Sequence, residues 1–380
     1  MRVLFTTWAW RSHLYAMVPF AWACRAAGHE VLVASQPGLV DEIVRTGLPS
    51  AGVGQDIDAM GLVRGYLSPA SEDGRTAGGP RAMRMLLALT ESMLGGLIGL
   101  ARRWRPDVVV YETTTLAGPM AAAAVGVPAM RHLYGPDLLL RARPLLPAAL
   151  APLAAEHGVG EFDPFGLGTI DPTPDSLQPP ADYDRLRMRY TPFNGPSTLP
   201  DPLPEPGRRP RICVTWGHTI AGADPARFLL PSVIRAVSDL DVEVVAAVSA
   251  AQVPLLGRRP PAARVFVDAP LHHLLPGCDL VIAHGGAGTT LTALHHGVPL
   301  LLVPQLPDHS GHAGRVADSG AAEVLTSAQA EPSRLRAETE RLLGDGSHRA
   351  AAHRIRQEMH DSPPPAALVP ELGLSVGLRA

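Results

Sequence analysis

Lysine is absent from the 380-residue chain, and asparagine occurs once, at Asn194. The basic residues are therefore all arginine, and codon bias in a GC-rich genome is the simplest reason for such a composition. A chain without lysine cannot form a Schiff base with a carbonyl substrate. It also lacks the lysine of a phosphate-binding P-loop and the strand lysine of a protein kinase. These classes of enzyme are excluded at the outset.

Strong charge of either sign is also missing. The chain has 33 basic and 36 acidic residues, a net charge of −3 and no basic run, so a nucleic-acid partner is not expected. No apolar stretch reaches the ~18 residues of a membrane span, and the N-terminus does not resemble a signal peptide. The few cysteines, Cys24, Cys213 and Cys278, lie in apolar segments and are typical of a reduced core. We therefore expect a cytoplasmic protein without a membrane partner.

Apolar runs and helical periodicity alternate along the chain in two similar halves. The predicted strands of the first half are 2–8, 30–35, 106–112 and 128–134, and those of the second half are 211–217, 242–249, 264–269, 279–284 and 299–304. Helical segments between them imply parallel sheets with both faces covered. Proline is dense between 163 and 210, where no regular secondary structure is expected. The sequence thus predicts an α/β protein of two doubly wound, Rossmann-like domains, 1–162 and 211–360, that face each other across a cleft.

A glycine cluster, HGGAGTT, occupies 284–290 at the predicted junction of a buried strand and a helix. Free amides and the positive end of the helix make such a junction a site for anions. A tight turn without a ligand is the alternative. The dinucleotide fingerprint is excluded, because its third glycine falls on Leu291. Downstream, Asp308 and His309 follow the next strand, where they can bond the hydroxyls of one ligand or simply cap a helix.

Three segments carry a resemblance to a known family. They are RVLFTTWAWRSHLYAMVPFAWACRAAGHEVLVAS at 2–35, RHLYGPD at 131–137, and VFVDAPLHHLLPGCDLVIAHGGAGTTLTALHHGVPLLLVPQLPDHSGHAGRVADSGA at 265–321. The last of these resembles the donor-site signature of the two-domain (GT-B) family 1 glycosyltransferases. Within that family the chain is most similar to actinobacterial enzymes that add deoxysugars to antibiotics, and especially to those acting on aromatic polyketides such as angucyclines.

The resemblance implies a nucleotide-sugar site in 211–360, an acceptor site in 1–162, a linker at 163–210 and a tail, 361–380, that packs back on the first domain. The donor-binding residues carried over by position are Gly217, His218, Ala269, His284, Gly285, Gly286, Gly288, Thr289, Asp308 and His309. Three positions depart from the family. Asp268 stands where tryptophan is common, His309 where glutamine is usual, and His312 where asparagine is usual.

The catalytic residues implied by the resemblance are a histidine and two acids. His13 occupies the place of the general base in the loop after the first strand, and a neutral imidazole suits that role. Glu112 occupies the place of the acid that orients it. Asp137 is a second candidate base, linked in the aromatic-polyketide subgroup to transfer onto carbon, and a helix N-cap is its alternative role. Trp8, Trp10 and Met85 are candidates for contact with a flat acceptor, although helical spacing also suits Met85 to a core.

The function implied is inverting, metal-independent transfer of a deoxysugar from a nucleotide donor, dTDP being the expected nucleotide, to an aromatic polyketide, giving an O- or C-glycoside. No cofactor is expected, and a homodimer stays an open alternative to a monomer. Two rival functions remain. One is a nucleotide-sugar 2-epimerase of the same fold, and the other is a catalytically silent homologue that activates a partner transferase.

Overall fold

The computed structural model describes residues 1–67, 79–200, 207–257 and 263–377. Within these ranges every pairing between neighbouring strands is parallel, and the strands form two separate sheets. Helices pack on the sheets in each half of the chain. The predicted fold class, two doubly wound α/β domains, is confirmed.

The first domain is built on a seven-stranded sheet with the order β3-β2-β1-β4-β5-β6-β7. Its central strand β4 is VVVYE, buried along its whole length, as a strand covered on both faces requires. The strands are β1 Arg2–Thr6, β2 Glu30–Ser35, β3 Ser50–Gly52, β4 Val108–Glu112, β5 Ala129–His132, β6 Gly168–Asp171 and β7 Arg185–Arg187. The helices are α1 Arg11–Ala26, α2 Val40–Arg45, α3 Ala59–Leu67, α4 Pro80–Trp104, α5 Ala117–Val125 and α6 Leu146–Glu156.

The second domain repeats this arrangement with six strands in the order β10-β9-β8-β11-β12-β13. The strands are β8 Arg211–Thr215, β9 Glu243–Val248, β10 Ala263–Val267, β11 Leu280–Ala283, β12 Leu300–Leu302 and β13 Ala322–Val324. The helices are α7 Thr219–Ala223, α8 Leu230–Val237, α9 Leu271–Leu274, α10 Ala287–His295, α11 Pro307–Asp318, α12 Pro332–Gly344 and α13 Gly346–Asp361. Loops after the carboxyl ends of the strands in both sheets line the cleft between the domains, the usual place for a ligand in such folds.

The expectation of no regular secondary structure between 163 and 210 is wrong. Strands β6 and β7 lie in this range and extend the first sheet beyond β5. The prolines do not prevent this, because Pro172, Pro174, Pro179 and Pro180 lie in the connection between the two strands. Proline removes a hydrogen-bond donor only from the strand that contains it.

The chain returns to the first domain at its C-terminal end. Helix α13 packs on α10 of the second domain, and α14 (Pro365–Gly377) then packs on α1 of the first. Leu368, Val369 and Leu372 of α14 belong to the same buried cluster as Leu14 and Val18 of α1. The tail therefore ties the two domains together.

Two helical segments, Arg81–Trp104 and Leu138–Glu156, have the length and hydropathy of a membrane span, which the sequence analysis did not anticipate. Leu89, Leu94 and Leu97 of the first segment are buried in the core of the first domain. Packing of this face in that core, chiefly against α5, accounts for the apolar composition of α4 without a bilayer.

Candidate active site

The acceptor side of the cleft begins where β1 ends. A short loop leads to α1, and His13 lies in the first turn of that helix rather than in the loop before it. The side chain is mostly buried, with 11% of its surface exposed. A helix fixes the backbone of this residue more firmly than a loop would.

Glu112, the last residue of β4, forms the floor of the site beneath His13. Its Oε1 lies 3.2 Å from Nδ1 of His13, and its other hydrogen bonds come from the amide and hydroxyl of Thr114 and the hydroxyl of Thr115. Burial alone would raise the pKa of Glu112, but the interaction with His13 and these hydrogen bonds outweigh burial and hold the pKa below its ordinary value. Glu112 is therefore an ionised carboxylate that only accepts hydrogen bonds.

This carboxylate decides which nitrogen of His13 carries the proton. Nδ1 lies 3.2 Å from Oε1 of Glu112 and 3.2 Å from Nε1 of Trp8, and Trp8 has a second acceptor, the hydroxyl of Thr114, at 3.0 Å. An ionised Glu112 needs a donor, so Nδ1 keeps its hydrogen and the Trp8 indole donates to Thr114. Nε2 of His13 then has a free lone pair, and no side chain in the described ranges bonds to it. This is the arrangement of a general base.

Aromatic rings surround the base. Trp8 and Trp10 stack with their ring centroids 4.8 Å apart, and Tyr134 stacks on His13 at 4.1 Å. Trp10 contacts the apolar cores of both domains, which places it at their boundary. Met85 is half-buried beside the core of the first domain, so contact between Met85 and an acceptor stays a prediction.

Asp137 does not fit the role of a second base. It precedes the 3₁₀ helix Leu138–Leu145, but its side chain caps no backbone amide. The carboxylate, which is fully buried, lies 2.8 Å from the guanidinium of Arg131 and accepts a hydrogen bond from Tyr183. Because this carboxylate is fully buried and paired with Arg131, it is not placed to take a proton from an acceptor in the cleft. The prediction of a catalytic Asp137 is corrected to a structural ion pair.

The donor side is the junction of β11 and α10. Gly286 caps the helix with extended backbone, and the first intrahelical hydrogen bond runs from the amide of Thr290 to its carbonyl. The amides that precede Thr290, including those of Gly288 and Thr289, therefore have no carbonyl partner within the helix. Together with the helix dipole they form a site suited to a diphosphate.

His284 lies in a slot between two glycines. A Cβ at Gly217, whose φ is +58°, would come within 2.7 Å of the His284 ring, and a Cβ at Gly286 would come within 2.5 Å of its Nε2. Both positions therefore require glycine for the ring to fit. Burial, followed by the nearby His309, lowers the pKa of His284 well below its ordinary value. The ring is neutral and meets an anion as a hydrogen-bond donor rather than as a cation.

A second group of polar residues starts α11 beside this slot. His309 and His312 are buried on one face of the helix, and burial lowers the pKa of His312 to about 4. Burial would raise the pKa of Asp308, but the neighbouring His309 and His312 hold it below its ordinary value. The Nδ1 atoms of His284 and His309 and at least one ring nitrogen of His312 are buried and have no hydrogen-bond partner. Unpartnered buried nitrogens are costly, and a bound ligand would satisfy them.

The remaining predicted donor residues lie at the edge of this site. His218 follows β8 and keeps an exposed face, and desolvation and then the charge of Arg11 lower its pKa. Asp268 directly follows β10 with φ at +52° and accepts a hydrogen bond from the amide of Ala250, so no aromatic ring occupies the position where tryptophan is common. Ala269 follows it in the same loop, and its part in donor binding stays a prediction.

Sequence reasoning missed several residues of the site. Thr114 and Thr115 fix Glu112, and Tyr134 covers His13. Their signal was position alone, since the threonines follow a predicted strand and Tyr134 ends another, at the cleft edge. Within the described ranges, no three His, Cys, Asp or Glu residues are grouped in a way that could hold a metal ion.

Comparisons with known proteins agree with this geometry. The N-terminal domain model of the "Erythromycin biosynthesis protein CIII-like" family matches residues 22–217, and its C-terminal domain model matches residues 231–374. The chain is similar to 10-deoxymethynolide desosaminyltransferase of Streptomyces venezuelae, with 38% identity covering 98% of this chain and 96% of the relative. It is also similar to aklavinone 7-beta-L-rhodosaminyltransferase of Streptomyces galilaeus, with 36% identity covering 98% and 95%. Among solved structures, glycosyltransferase VinC in complex with dTDP is 36% identical, covers 100% of both chains and gives a TM-score of 0.84.

Proposed function

This chain belongs to the EryCIII-like family of glycosyltransferases, and we propose that it transfers the deoxysugar of a dTDP-deoxysugar to a polyketide and releases dTDP. The observation that carries the proposal is the pairing of two half-sites across one cleft. On one side Nε2 of His13 is free to accept a proton, because Glu112 holds Nδ1. On the other side, the α10 amides and the unpartnered histidine nitrogens suit a sugar diphosphate.

The diphosphate would lie at the N-terminus of α10. A chain without lysine has to meet this charge with backbone amides, the helix dipole and neutral donors such as His284. The bound dTDP of VinC supports this nucleotide as the donor carrier. The sugar would be contacted by Asp308, His309 and His312. The backbone of Ala269 would contact the nucleobase of dTDP. We propose that no metal ion or cofactor takes part.

The reaction would be a single in-line displacement. The acceptor hydroxyl gives its proton to Nε2 of His13, and its oxygen forms a bond to the anomeric carbon. The bond from that carbon to the diphosphate breaks on the opposite face, and its electron pair leaves with the phosphate oxygen. One displacement inverts the anomeric configuration. The imidazolium formed is stabilised by Glu112.

The acceptor we propose is an aromatic polyketide. Trp10, which is half-buried and stacks on the buried ring of Trp8, offers a flat apolar surface beside the base. A phenol could react at its oxygen or, as the phenolate, at its ortho carbon. The relatives act on different aglycones, 10-deoxymethynolide for one and aklavinone for another, so a macrocyclic acceptor is the alternative.

A matrix of dTDP-deoxysugars and polyketide aglycones, scored by mass spectrometry, tests this function. We expect at least one pair to give a product heavier by one deoxysugar residue, with the anomeric configuration opposite to that of the donor. Acid treatment separates stable C-glycosides from labile O-glycosides. Conversion of the sugar nucleotide without an acceptor would indicate an epimerase instead. If no pair gives a product with this protein alone, but product forms once a related transferase is added, the protein would be a catalytically silent activator.

A further inference from the structure

Tyr134 lies in the loop after β5 and makes the closest ring contact of the candidate base. Its ring is stacked on the imidazole of His13, with centroids 4.1 Å apart and planes inclined by 25°. The carboxylate of Glu112 holds Nδ1 in the plane of the imidazole, and Tyr134 covers one face. Both the rotation of the imidazole about its bond to Cβ and the tilt of its plane are thereby restricted.

The same tyrosine reaches the donor domain. The ring of Tyr134 meets the ring of His312 edge-on, with centroids 6.0 Å apart and planes at 87°. The next residue, Gly135, lies so close to α10 that a Cβ there would come within 2.8 Å of the Cβ of Ala287. The stack on His13 therefore lies at the point where the two domains touch.

Tyr134 is not itself a base. Burial, together with the charges of Asp308, Glu112 and Asp137, raises the pKa of Tyr134 well above its ordinary value. The phenol is neutral throughout the working range, and its ring face carries partial negative charge. Such a face attracts a cation, and His13 becomes a cation when it accepts the proton of the acceptor.

We propose that Tyr134 is a positioning residue for the reaction. It fixes the plane of His13, stabilises the imidazolium that forms during transfer, and does so only while His312 of the donor domain packs edge-on against the tyrosine ring. This inference rests on the proposed function, because it requires His13 to be the base. Tyr134 lies three residues before Asp137, and the sequence motif pointed to Asp137 rather than to this tyrosine.

Two substitutions of Tyr134 distinguish the effect of its ring face on kcat from the effect of its hydroxyl. Tyr134→Phe keeps the face and should keep kcat within about three-fold of the wild type. Tyr134→Leu removes the face and should lower kcat about ten-fold, with KM for both substrates changed less than three-fold. Phe162→Leu, a ring lost beside the core of the first domain, is the matched control and should leave kcat unchanged. If Tyr134→Leu leaves too little folded protein, Tyr134→Met refills the volume without a ring and should show the same loss.

Nuclear magnetic resonance gives a readout that does not depend on turnover. The Hε1 resonance of His13, assigned by its disappearance in His13→Gln, should be shifted upfield by the ring current of Tyr134. The shift should persist in Tyr134→Phe and vanish in Tyr134→Leu or Tyr134→Met. Folded Leu and Met variants with the kcat of the Phe variant would overturn the positioning role. Transfer at the wild-type rate by His13→Ala would instead overturn the proposed base, so the two failures are distinguishable.

Discussion

Oε1 of Glu112 lies 3.2 Å from Nδ1 of His13, and the two residues come from different elements, the end of β4 and the start of α1. These elements are adjacent because β1, which leads into α1, pairs with β4. The parallel sheet thus brings together two residues that are 99 positions apart. The side chain of Glu112 is one methylene longer than that of an aspartate, and it places its carboxylate within hydrogen-bond distance of the imidazole.

Replacing Glu112 with glutamine should remove the charge while keeping the shape. The amide cannot stabilise the imidazolium, and its NH₂ group opposes the donors of Thr114 and Thr115. We expect kcat to fall by about a hundred-fold or more, with little change in the Kd for dTDP. Steady-state kinetics and titration calorimetry measure the two effects. The control is Glu30→Gln in an exposed ion pair, and a Glu112→Gln enzyme as fast as this control would contradict the role of the pair.

Gly286→Ala should weaken donor binding. The new Cβ would come within 2.5 Å of Nε2 of His284 and would force that ring out of its slot. A misplaced His284 and a disturbed α10 terminus should raise the Kd for dTDP about ten-fold or more. Gly314→Ala in α11, where a Cβ meets open space, is the matched control. Equal Kd values for the two variants would show that the slot does not matter for binding.

Asp137 should matter for stability rather than for catalysis. Removing its carboxylate leaves the buried guanidinium of Arg131 without its partner, which costs about 3–5 kcal/mol. Urea unfolding of Asp137→Asn should show this loss. Asp182→Asn, which breaks an exposed pair with Arg143, should change the free energy of unfolding by less than about 1 kcal/mol. An Asp137→Asn protein of normal stability that no longer transfers sugar would restore Asp137 as a base.

His132 makes the fold sensitive to acid. Its side chain lies inside the first domain, and burial lowers its pKa to about 4. The unfolded chain binds a proton at His132 below about pH 6.5, whereas the folded chain resists protonation until about pH 4. Its contribution to stability is complete above pH 6.5 and is lost as the pH falls toward 4, by about 3 kcal/mol in all. His132→Leu should flatten this part of the curve of unfolding free energy against pH, and an unchanged slope would contradict the assignment.

Much of the fold could be predicted because most of its strands coincide with runs of apolar residues that are contiguous in the sequence. Strand β2 occupies the predicted residues 30–35, and the other predicted strands agree to within about two residues at each end. Strands β3, β6, β7 and β13 were missed because they are short, and only their pairing with neighbouring strands identifies them. The glycine cluster at 284–290 was recognisable for the same local reason.

The errors at the site concern contacts between distant residues. Asp137 resembles a base or a cap in the sequence, since nothing there shows that the side chain of Arg131 turns toward it inside the domain. The stack of Tyr134 on His13 joins positions more than a hundred residues apart. Such contacts follow from the register of the sheet and from the packing of the two domains, which the sequence pattern does not contain.

The central claim is that His13, oriented by Glu112, removes the acceptor proton during sugar transfer. The most direct measurement is the single-turnover rate of glycoside formation by wild type and His13→Gln, with dTDP-deoxysugar and acceptor both saturating. The account predicts a rate at least about a thousand-fold lower for His13→Gln, with a Kd for dTDP within about three-fold of the wild type. A rate for His13→Gln within three-fold of the wild type would contradict it.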